Sequence, residues 1–273
     1  MEDFRIRKPA VAGQFYPLSA DKLKKQLEQF IPKETIPREV IACILPHAGY
    51  IYSGKVAGET IAQVKIRESV VLIGPNHTGY GSLFSIMSEG IWQTPLGEVE
   101  IDTLLAKSFL KKSKELKDDV LAHFYEHCLE VELPFLQYIK NDFKIVPLVL
   151  MGEDFSVYEN IGTKMSEAVL DLKMESSVLM VASSDMTHYE PQESAQKKDN
   201  LAIEAILKLD EKELLRRVRK HNISMCGWPA VTTMLVYAKR LGAHNAKLIQ
   251  YQTSGDITGD YSSVVGYAGI IIY

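Results

Sequence analysis

Short apolar runs alternate with amphipathic segments along most of the chain, and this alternation predicts strands and helices in turn. Apolar runs at residues 41–45 and 69–73 flank residues 55–64, which have the composition of a helix. A strand, a helix and a second strand form a crossover unit in which the two strands run parallel. The sequence therefore predicts a mainly parallel sheet in which these two strands are neighbours.

The second half of the chain continues the alternation with longer helices. Further strands are predicted at residues 144–150, 177–182, 246–252 and 262–272, and helices at residues 158–170, 195–207, 212–220 and 230–241. No linker-like, low-complexity or repeated stretch interrupts the pattern. We therefore expect a single α/β domain over residues 1–273, with a mainly parallel central sheet flanked by helices.

The first half is less regular. Residues 19–30 carry apolar positions at helical spacing, which predicts an N-terminal helix. Short strands are predicted at residues 83–87 and 97–101, as a β extension beside the main sheet. Residues 126–139 are predicted to form a helix that Pro134 interrupts and kinks.

Composition and charge exclude several classes of function. Hydrophobic residues make up 46% of the chain and charged residues 24%, a balance typical of globular proteins. The formal net charge is −4 and no basic stripe is present, so no nucleic-acid partner is expected. The lysines of residues 111–117 lie beside acidic residues, which favours a solvated helix end or loop. Without a leader-like segment or an apolar run long enough to span a membrane, a cytoplasmic protein with no membrane partner is expected.

Three cysteines form no close-spaced pair, which favours reduced thiols. Cys43 lies in the middle of a predicted strand and Cys128 within a predicted helix, so both are expected in the core. Cys226 lies in a non-periodic loop just before a helix, and a helix N-terminus lowers the pKa of a thiol. The alternative for Cys226 is a buried apolar cysteine.

Two histidines follow the first two strands directly. The first strand runs into PHAGY at residues 46–50 and the second into GPNH at residues 74–77. In open α/β sheets, ligand sites lie at the carboxyl ends of the strands. His47 and His77 are therefore predicted to converge, and a catalytic metal there would need a third ligand. For either residue alone, a hydrogen-bonded structural histidine is the alternative.

A third strand also ends near a histidine. The segment SSDMTH, at residues 183–188, follows a buried strand and places Asp185 three residues before His188. These two residues suit a general acid/base pair in which the carboxylate orients the imidazole. A capping aspartate and a surface histidine are the alternative.

The acidic run at residues 126–132 is another possible source of chemistry. Glu126 and Glu130 are four residues apart and would share one face of the predicted helix. They are either partners behind the metal ligands or a solvated helix start. The candidates for the third metal ligand are Asp185, His188, Cys226 and this acidic run.

Six motifs, in this order along the chain, resemble those of the MEMO family. They are AGQFY at residues 12–16, PHAGY at 46–50, GPNH at 74–77, EHCLE at 126–130, SSDMTH at 183–188 and CG at 226–227. The resemblance covers essentially the whole chain. The MEMO family is in turn similar to the class III extradiol dioxygenases, which hold non-haem iron(II) with two histidines and a carboxylate. In MEMO proteins a cysteine takes the place of the carboxylate.

The resemblance implies roles for individual residues. The positions that match the family's metal ligands are His47, His77 and Cys226. His188 matches the acid/base position of the dioxygenases, with Asp185 as its neighbour, and Phe15 matches an aromatic residue of the pocket mouth. Iron(II) is the expected metal, and copper(I) competes with it because a thiolate favours softer ions.

Two functions agree with these residues. The first is a redox enzyme that acts on a small molecule with dioxygen or another oxidant. The second is a binding protein whose dioxygenase-like pocket holds a peptide or only a metal ion; the resemblance implies that animal relatives bind phosphotyrosine peptides. Ring cleavage does not follow from the fold. His188 with Asp185 favours chemistry, because a binding module needs no acid/base pair.

Overall fold

A large sheet forms the centre of the structure, a computed structural model that describes residues 6–152 and 155–273. The strands, in chain order, are β1 (Ile6–Arg7), β2 (Ala42–Leu45), β3 (Ser69–Pro75), β4 (Phe84–Ile86), β5 (Ile91–Thr94), β6 (Gly97–Glu100), β7 (Lys117–Asp118), β8 (Lys144–Leu150), β9 (Val178–Ser183), β10 (His188–Glu190), β11 (Ala246–Thr253) and β12 (Val264–Ile272). The α-helices are α1 (Ala20–Phe30), α2 (Tyr50–Ile61), α3 (Thr103–Lys112), α4 (Leu121–Phe124), α5 (Leu133–Ile139), α6 (Phe155–Asp171), α7 (Gln192–Leu207), α8 (Glu211–His221), α9 (Trp228–Arg240) and α10 (Gly255–Thr258).

Within the described residues, nine strands join the main sheet in the order β10-β12-β2-β9-β3-β8-β4-β7, with β11 paired to β12. The central strands β2, β9, β3 and β8 are parallel, and β12 and β4 flank them in the antiparallel direction. β2, β3 and β9 are buried at every position, as expected for parallel strands that are covered on both faces.

Helices flank this sheet in two groups. α9 packs on β3 and β9 and contacts α6, while α2 packs on β2 and β12 and contacts α1 and α5. The predicted α/β fold with a central sheet flanked by helices is therefore confirmed. None of the helices in the described ranges combines the length and the apolar composition that crossing a membrane requires.

The sequence predicts β2 and β3 as neighbours, and this prediction is wrong. β9 lies between them and pairs in parallel with both. A crossover helix fixes the direction of the second strand but not the number of strand positions that the crossover skips. As a result, three parallel strand ends meet at one edge of the sheet, followed along the chain by His47, His77 and Asp185.

The prediction of a single helix at residues 126–139 is also wrong. A turn is followed by one 3₁₀ turn at Glu130–Glu132, and only then does α5 begin. The carboxylate of Glu126 accepts the backbone N–H groups of the next two residues at 2.9 and 3.0 Å, which stabilises the turn. Pro134 lies in the first turn of α5, where a missing N–H breaks no helical hydrogen bond, so it does not kink the helix.

The predicted β extension is divided between two sheets. β4 pairs with β8 in the main sheet, whereas β6 pairs with β5, which in turn pairs with β1. β5 was not predicted, because Gln93 and Thr94 precede Pro95 in a stretch with the composition of a connection. The small sheet depends on the N-terminal strand, which local sequence pattern does not reveal.

Candidate metal centre

The strand ends and one loop bring the predicted site residues to a single pocket of about 660 Å³. The predicted residues that line it are Phe15, His47, His77, Asp185 and His188. The sixth, Cys226, lies beside them, with its Sγ 3.3 Å from Nε2 of His47. The structure therefore places all six predicted residues in one region.

The imidazole of His47 is buried and fixed from behind. Its Nδ1 lies 2.8 Å from Oγ of Ser183, the last residue of β9, and its backbone N–H donates to Oδ1 of Asp185 at 2.8 Å. Burial, together with the neighbouring histidines, lowers the pKa of His47 well below its usual value. The ring is therefore neutral, which is the form that binds metal ions.

The imidazole of His77 is held by Glu126. Nδ1 of His77 lies 2.9 Å from Oε1 of Glu126, and the backbone N–H of His77 donates to Oε2. Nε2 of His77 is thus left for a metal, and a carboxylate behind a ligating imidazole is typical of metal sites. Although burial acts in the opposite direction, the hydrogen bond and charge of His77 lower the pKa of Glu126 to about 2. Because Glu126 is buried, the alternative of a solvated helix start is wrong for this residue.

Cys226 reaches the site because Gly227 lets the loop approach the end of β9. A Cβ at position 227 would collide with the carbonyl oxygen of Ser183. The Sγ of Cys226 accepts the backbone N–H of Asp185 at 3.3 Å. Burial and the charge of Asp185 raise the pKa of this thiol, so the predicted lowering by the helix N-terminus is wrong for the metal-free protein.

The other two cysteines are fully buried, which confirms their predicted place in the core. Burial raises the pKa of both thiols. Cys128 lies in the turn before the 3₁₀ helix, and its thiol donates to the carbonyl oxygen of Pro75 at 3.1 Å. Cys226 is the cysteine that is partly exposed.

The three predicted ligands form a group that could hold a metal ion. Their ligand atoms all lie within 4.8 Å of one another. Ligands bound at about 2.0–2.3 Å in a tetrahedral arrangement stand roughly 3.3–3.8 Å apart. The separation of 3.3 Å between His47 and Cys226 already agrees with this geometry. Two imidazoles and a thiolate suit iron, copper and zinc, so the residues fit a metal ion with positions open for other ligands.

His188 is held by Ser224 and not by Asp185. Nδ1 of His188 lies 2.9 Å from the carbonyl oxygen of Ser224, which can only accept, so Nδ1 carries the proton and Nε2 can accept one. The predicted orienting role of Asp185 is therefore wrong, because its carboxylate accepts the backbone N–H groups of His47 and Ala48 instead. Burial raises the pKa of Asp185 to about 6, although the nearby His188 opposes this shift.

His127 is a pocket residue to which the sequence assigned no role. Its ring stacks on His77, with centroids 4.8 Å apart at 25°, and its centroid lies 4.8 Å from that of Phe15. His77, Glu126 and His127 form a second group of possible ligand atoms. Glu126 already accepts several N–H groups there. The one feature of the sequence that could have indicated His127 as a pocket residue is its position within the motif EHCLE.

The sequence also did not predict a buried hydrogen-bond network behind His47. Oγ of Ser183 lies 2.8 Å from the carbonyl oxygen of Cys128 and 2.7 Å from Oε1 of Glu132. Glu132 is fully buried, and burial together with Asp185 raises its pKa well above the usual value, against the hydrogen bond from Ser183. A protonated Glu132 can donate to Ser183, which can then accept from His47 and donate to Cys128, while Oε2 of Glu132 has no partner among the described residues.

The state of Glu132 makes the stability of the protein depend on pH. In the unfolded chain Glu132 ionises above its ordinary pKa, whereas in the folded protein it stays protonated, so its contribution to folding becomes less favourable as pH rises. Glu132→Gln keeps the shape and removes this penalty. As pH rises from 5 to 8, we expect the free energy of unfolding of Glu132→Gln to increase by roughly 1–4 kcal/mol relative to that of the native protein.

Denaturant unfolding at both pH values measures this gain, and the exposed Glu34→Gln serves as the control for loss of a carboxylate. If native protein and Glu132→Gln lose stability in parallel across this range, the buried carboxyl is not protonated.

Comparisons with known proteins find relatives that match nearly the whole chain. A family model described as Memo-like protein matches residues 7–271. The chain is 44% identical over 269 residues to a MEMO1 family protein of Methanococcoides burtonii, which covers 98% of this chain and 100% of that relative. It is 45% identical over 271 residues to MEMO1 family proteins of Aquifex aeolicus and Methanosarcina acetivorans, covering 98% of this chain and 99% of each relative.

Proposed function

The chain belongs to the MEMO family, and from that premise we propose that it is a metal-dependent redox enzyme that acts on a small molecule. The proposed metal is iron(II), with copper(I) as the competitor, held by His47, His77 and Cys226. The observation that carries the proposal is the approach of these three ligand atoms to within 4.8 Å of one another beside a pocket. A bound ion of either metal would supply one-electron chemistry with dioxygen or another oxidant.

The chain's own residues prepare the ligands for such an ion. Ser183 and Glu126 occupy Nδ1 of the two imidazoles, which leaves the Nε2 atoms for binding. Such partners fix the orientation and the tautomer of a ligating histidine. Because the two imidazoles are already held at Nδ1, little of the free energy of metal binding is spent on ordering their rings.

His188 is proposed to move a proton between the substrate and the solvent. Ser224 holds its backbone N–H and its Nδ1, so Nε2 is the atom that exchanges the proton. The residue lines the pocket and is partly exposed, which gives it access to both partners. A general base has to lie within hydrogen-bond reach of the proton that it takes.

Replacing His188 with alanine tests this role. Metal content should stay unchanged, while oxygen consumption with a responsive substrate should fall by roughly a hundred- to ten-thousandfold, as is typical of a lost acid/base group. Metal analysis of anaerobically purified protein and an oxygen electrode give the two readings. His244→Ala, an exposed histidine that does not line the pocket, is the matched control and should lose neither.

Other results would change the assignment. If His188→Ala loses its metal, His188 is a ligand and Cys226 acts from behind the coordination shell. If native protein binds metal but turns over no compound of a broad screen, with dioxygen or with another oxidant, the chain is a binding protein and not an enzyme.

A further inference from the structure

A buried carboxylate lies behind the turn that leads into His188. Asp199, in α7, is fully buried. Its Oδ1 accepts the backbone N–H of Thr187 at 2.8 Å, and its Oδ2 accepts the hydroxyl of Tyr251, in β11, at 2.8 Å. Burying a carboxylate is costly unless hydrogen bonds replace its water, and here one of those bonds goes to the residue that precedes His188.

Strand β12 leaves room for this carboxylate at one position. A Cβ at Gly266 would collide with Oδ2 of Asp199. The backbone of Gly266 also holds the turn, because its N–H donates to the carbonyl oxygen of Thr187 at 2.9 Å and its carbonyl oxygen accepts the N–H of Met186 at 2.8 Å. Asp199 and Gly266 thus fix the N–H and the carbonyl group of the same residue, Thr187.

The peptide that is fixed in this way leads directly into His188. Oγ of Ser224 accepts the backbone N–H of His188 at 2.8 Å, and the carbonyl oxygen of Ser224 lies 2.9 Å from its Nδ1. Because side chains occupy discrete rotamers, the ring meets that carbonyl only while the backbone of residues 187–188 keeps its place. The position of Nε2 in the pocket therefore depends on how Thr187 is held.

The attachment of α7 does not depend on Asp199 alone. Nζ of the neighbouring Lys198 binds Oε1 of Glu190, in β10, at 2.5 Å and donates to the carbonyl oxygen of Asn222 at 3.2 Å. These contacts do not involve Asp199, so they remain when it is replaced. Loss of the carboxylate should therefore release the turn at Thr187 without detaching the helix.

We propose that Asp199 is a positioning residue that, through the backbone N–H of Thr187, keeps Nδ1 of His188 on the carbonyl oxygen of Ser224 and so presents Nε2 to the pocket. The inference rests on the proposed function for the use that is made of His188. The geometry itself belongs to the chain without a metal ion. Asp199 does not line the pocket, so it acts through His188 and not on a ligand.

Nitrogen NMR of the imidazole rings of metal-free protein tests the inference. Spectra are recorded at about pH 8.5, roughly two units above the usual histidine pKa, where neutral rings dominate. The signals of His188 are identified by their absence from His188→Ala. We expect native His188 to carry its proton on Nδ1 alone, because the carbonyl oxygen of Ser224 can only accept.

Replacing Asp199 with alanine should remove this fixed tautomer. Once Thr187 is released, the ring should exchange between both tautomers, and its two nitrogen shifts should move towards their average. Asp199→Asn should keep the native shifts, because the amide oxygen accepts the same N–H. Asp199→Ser, whose one oxygen cannot take the places of both Oδ1 and Oδ2, should lose them and serves as the second variant if Asp199→Ala does not fold.

Glu211→Ala is the matched control. Glu211 is a buried carboxylate that pairs with Lys239 at 2.6 Å and does not line the pocket. Its replacement should leave the nitrogen shifts of His188 unchanged, whatever its effect on the melting temperature.

Native shifts of His188 in Asp199→Ala or Asp199→Ser would overturn the inference, even if these variants melt at lower temperature. So would a native protein without a fixed tautomer, shifts in Asp199→Asn that match those of Asp199→Ala, or the same loss in Glu211→Ala. The expected shifts in a chain that binds no metal support the inference and count against the proposed function alone.

Discussion

Replacing Cys226 with serine is expected to lower the affinity for iron(II) or copper(I) by more than about a hundredfold while the fold is kept. Changes to residues that merely support a ligand cost about ten- to a hundredfold, so loss of a ligand itself should cost more. A serine hydroxyl is close in size to the thiol, but it is a weak, neutral donor that does not suit copper(I). Anaerobic metal titration followed by elemental analysis gives the affinity.

Cys43→Ala is the control for this substitution. Cys43 is buried in the middle of β2, and its removal should leave metal affinity unchanged. If Cys226→Ser keeps full metal occupancy under reducing conditions, the assignment of Cys226 as the third ligand is wrong.

Replacing Glu130 with glutamine is expected to lower the free energy of unfolding by about 3–5 kcal/mol. Glu130 and Arg7 are both fully buried and form an ion pair at 2.6 Å, so the substitution leaves a buried guanidinium without its counter-charge. The same carboxylate accepts the backbone N–H groups of Ala10 and Val11 and the hydroxyl of Tyr16. It therefore fixes the N-terminal segment that carries Phe15 to the pocket. Denaturant unfolding measures the loss.

An exposed ion pair provides the comparison. Glu39 and Lys65 form a contact of 2.5 Å with most of both side chains in water. Glu39→Gln should change the free energy of unfolding by less than about 1 kcal/mol, because solvent screens such pairs. Equal effects of the two substitutions would mean that the Arg7–Glu130 pair contributes no more than a surface contact.

The strands could be predicted where burial on both faces imposes a continuous apolar run. β8 agrees with the predicted residues 144–150, and β3 differs from the prediction only at its carboxyl end. The order of the strands in the sheet could not be predicted, because an apolar run indicates that a strand is buried but not which strands lie beside it. The prediction of a helix at residues 126–132 was wrong because the acidic residues at helical spacing have other roles. The buried carboxylate of Glu126 caps a turn, and that of Glu130 pairs with Arg7. The single-domain organisation stays a prediction.

The sequence predicted which residues come together at the candidate site, but not which residues support them. His47 and His77 stand directly after strands, and a strand end is a defined place in an α/β sheet. Ser224 and Glu132 take part through contacts with residues distant in the chain, and neither has a local pattern that separates it from an ordinary loop serine or a surface glutamate. Asp185 has such a pattern, but its partner is the His47 turn, which only the pairing of β2 with β9 brings close.

X-ray absorption spectroscopy of the anaerobic, metal-loaded protein tests the central claim most directly, because it counts the sulfur and nitrogen atoms bound to the ion. We expect one sulfur at about 2.3 Å and two imidazole nitrogens at about 2.0–2.1 Å, distances typical of such ligands. The sulfur should disappear in Cys226→Ser. A spectrum of the native protein with only nitrogen and oxygen neighbours would contradict a metal centre built from His47, His77 and Cys226.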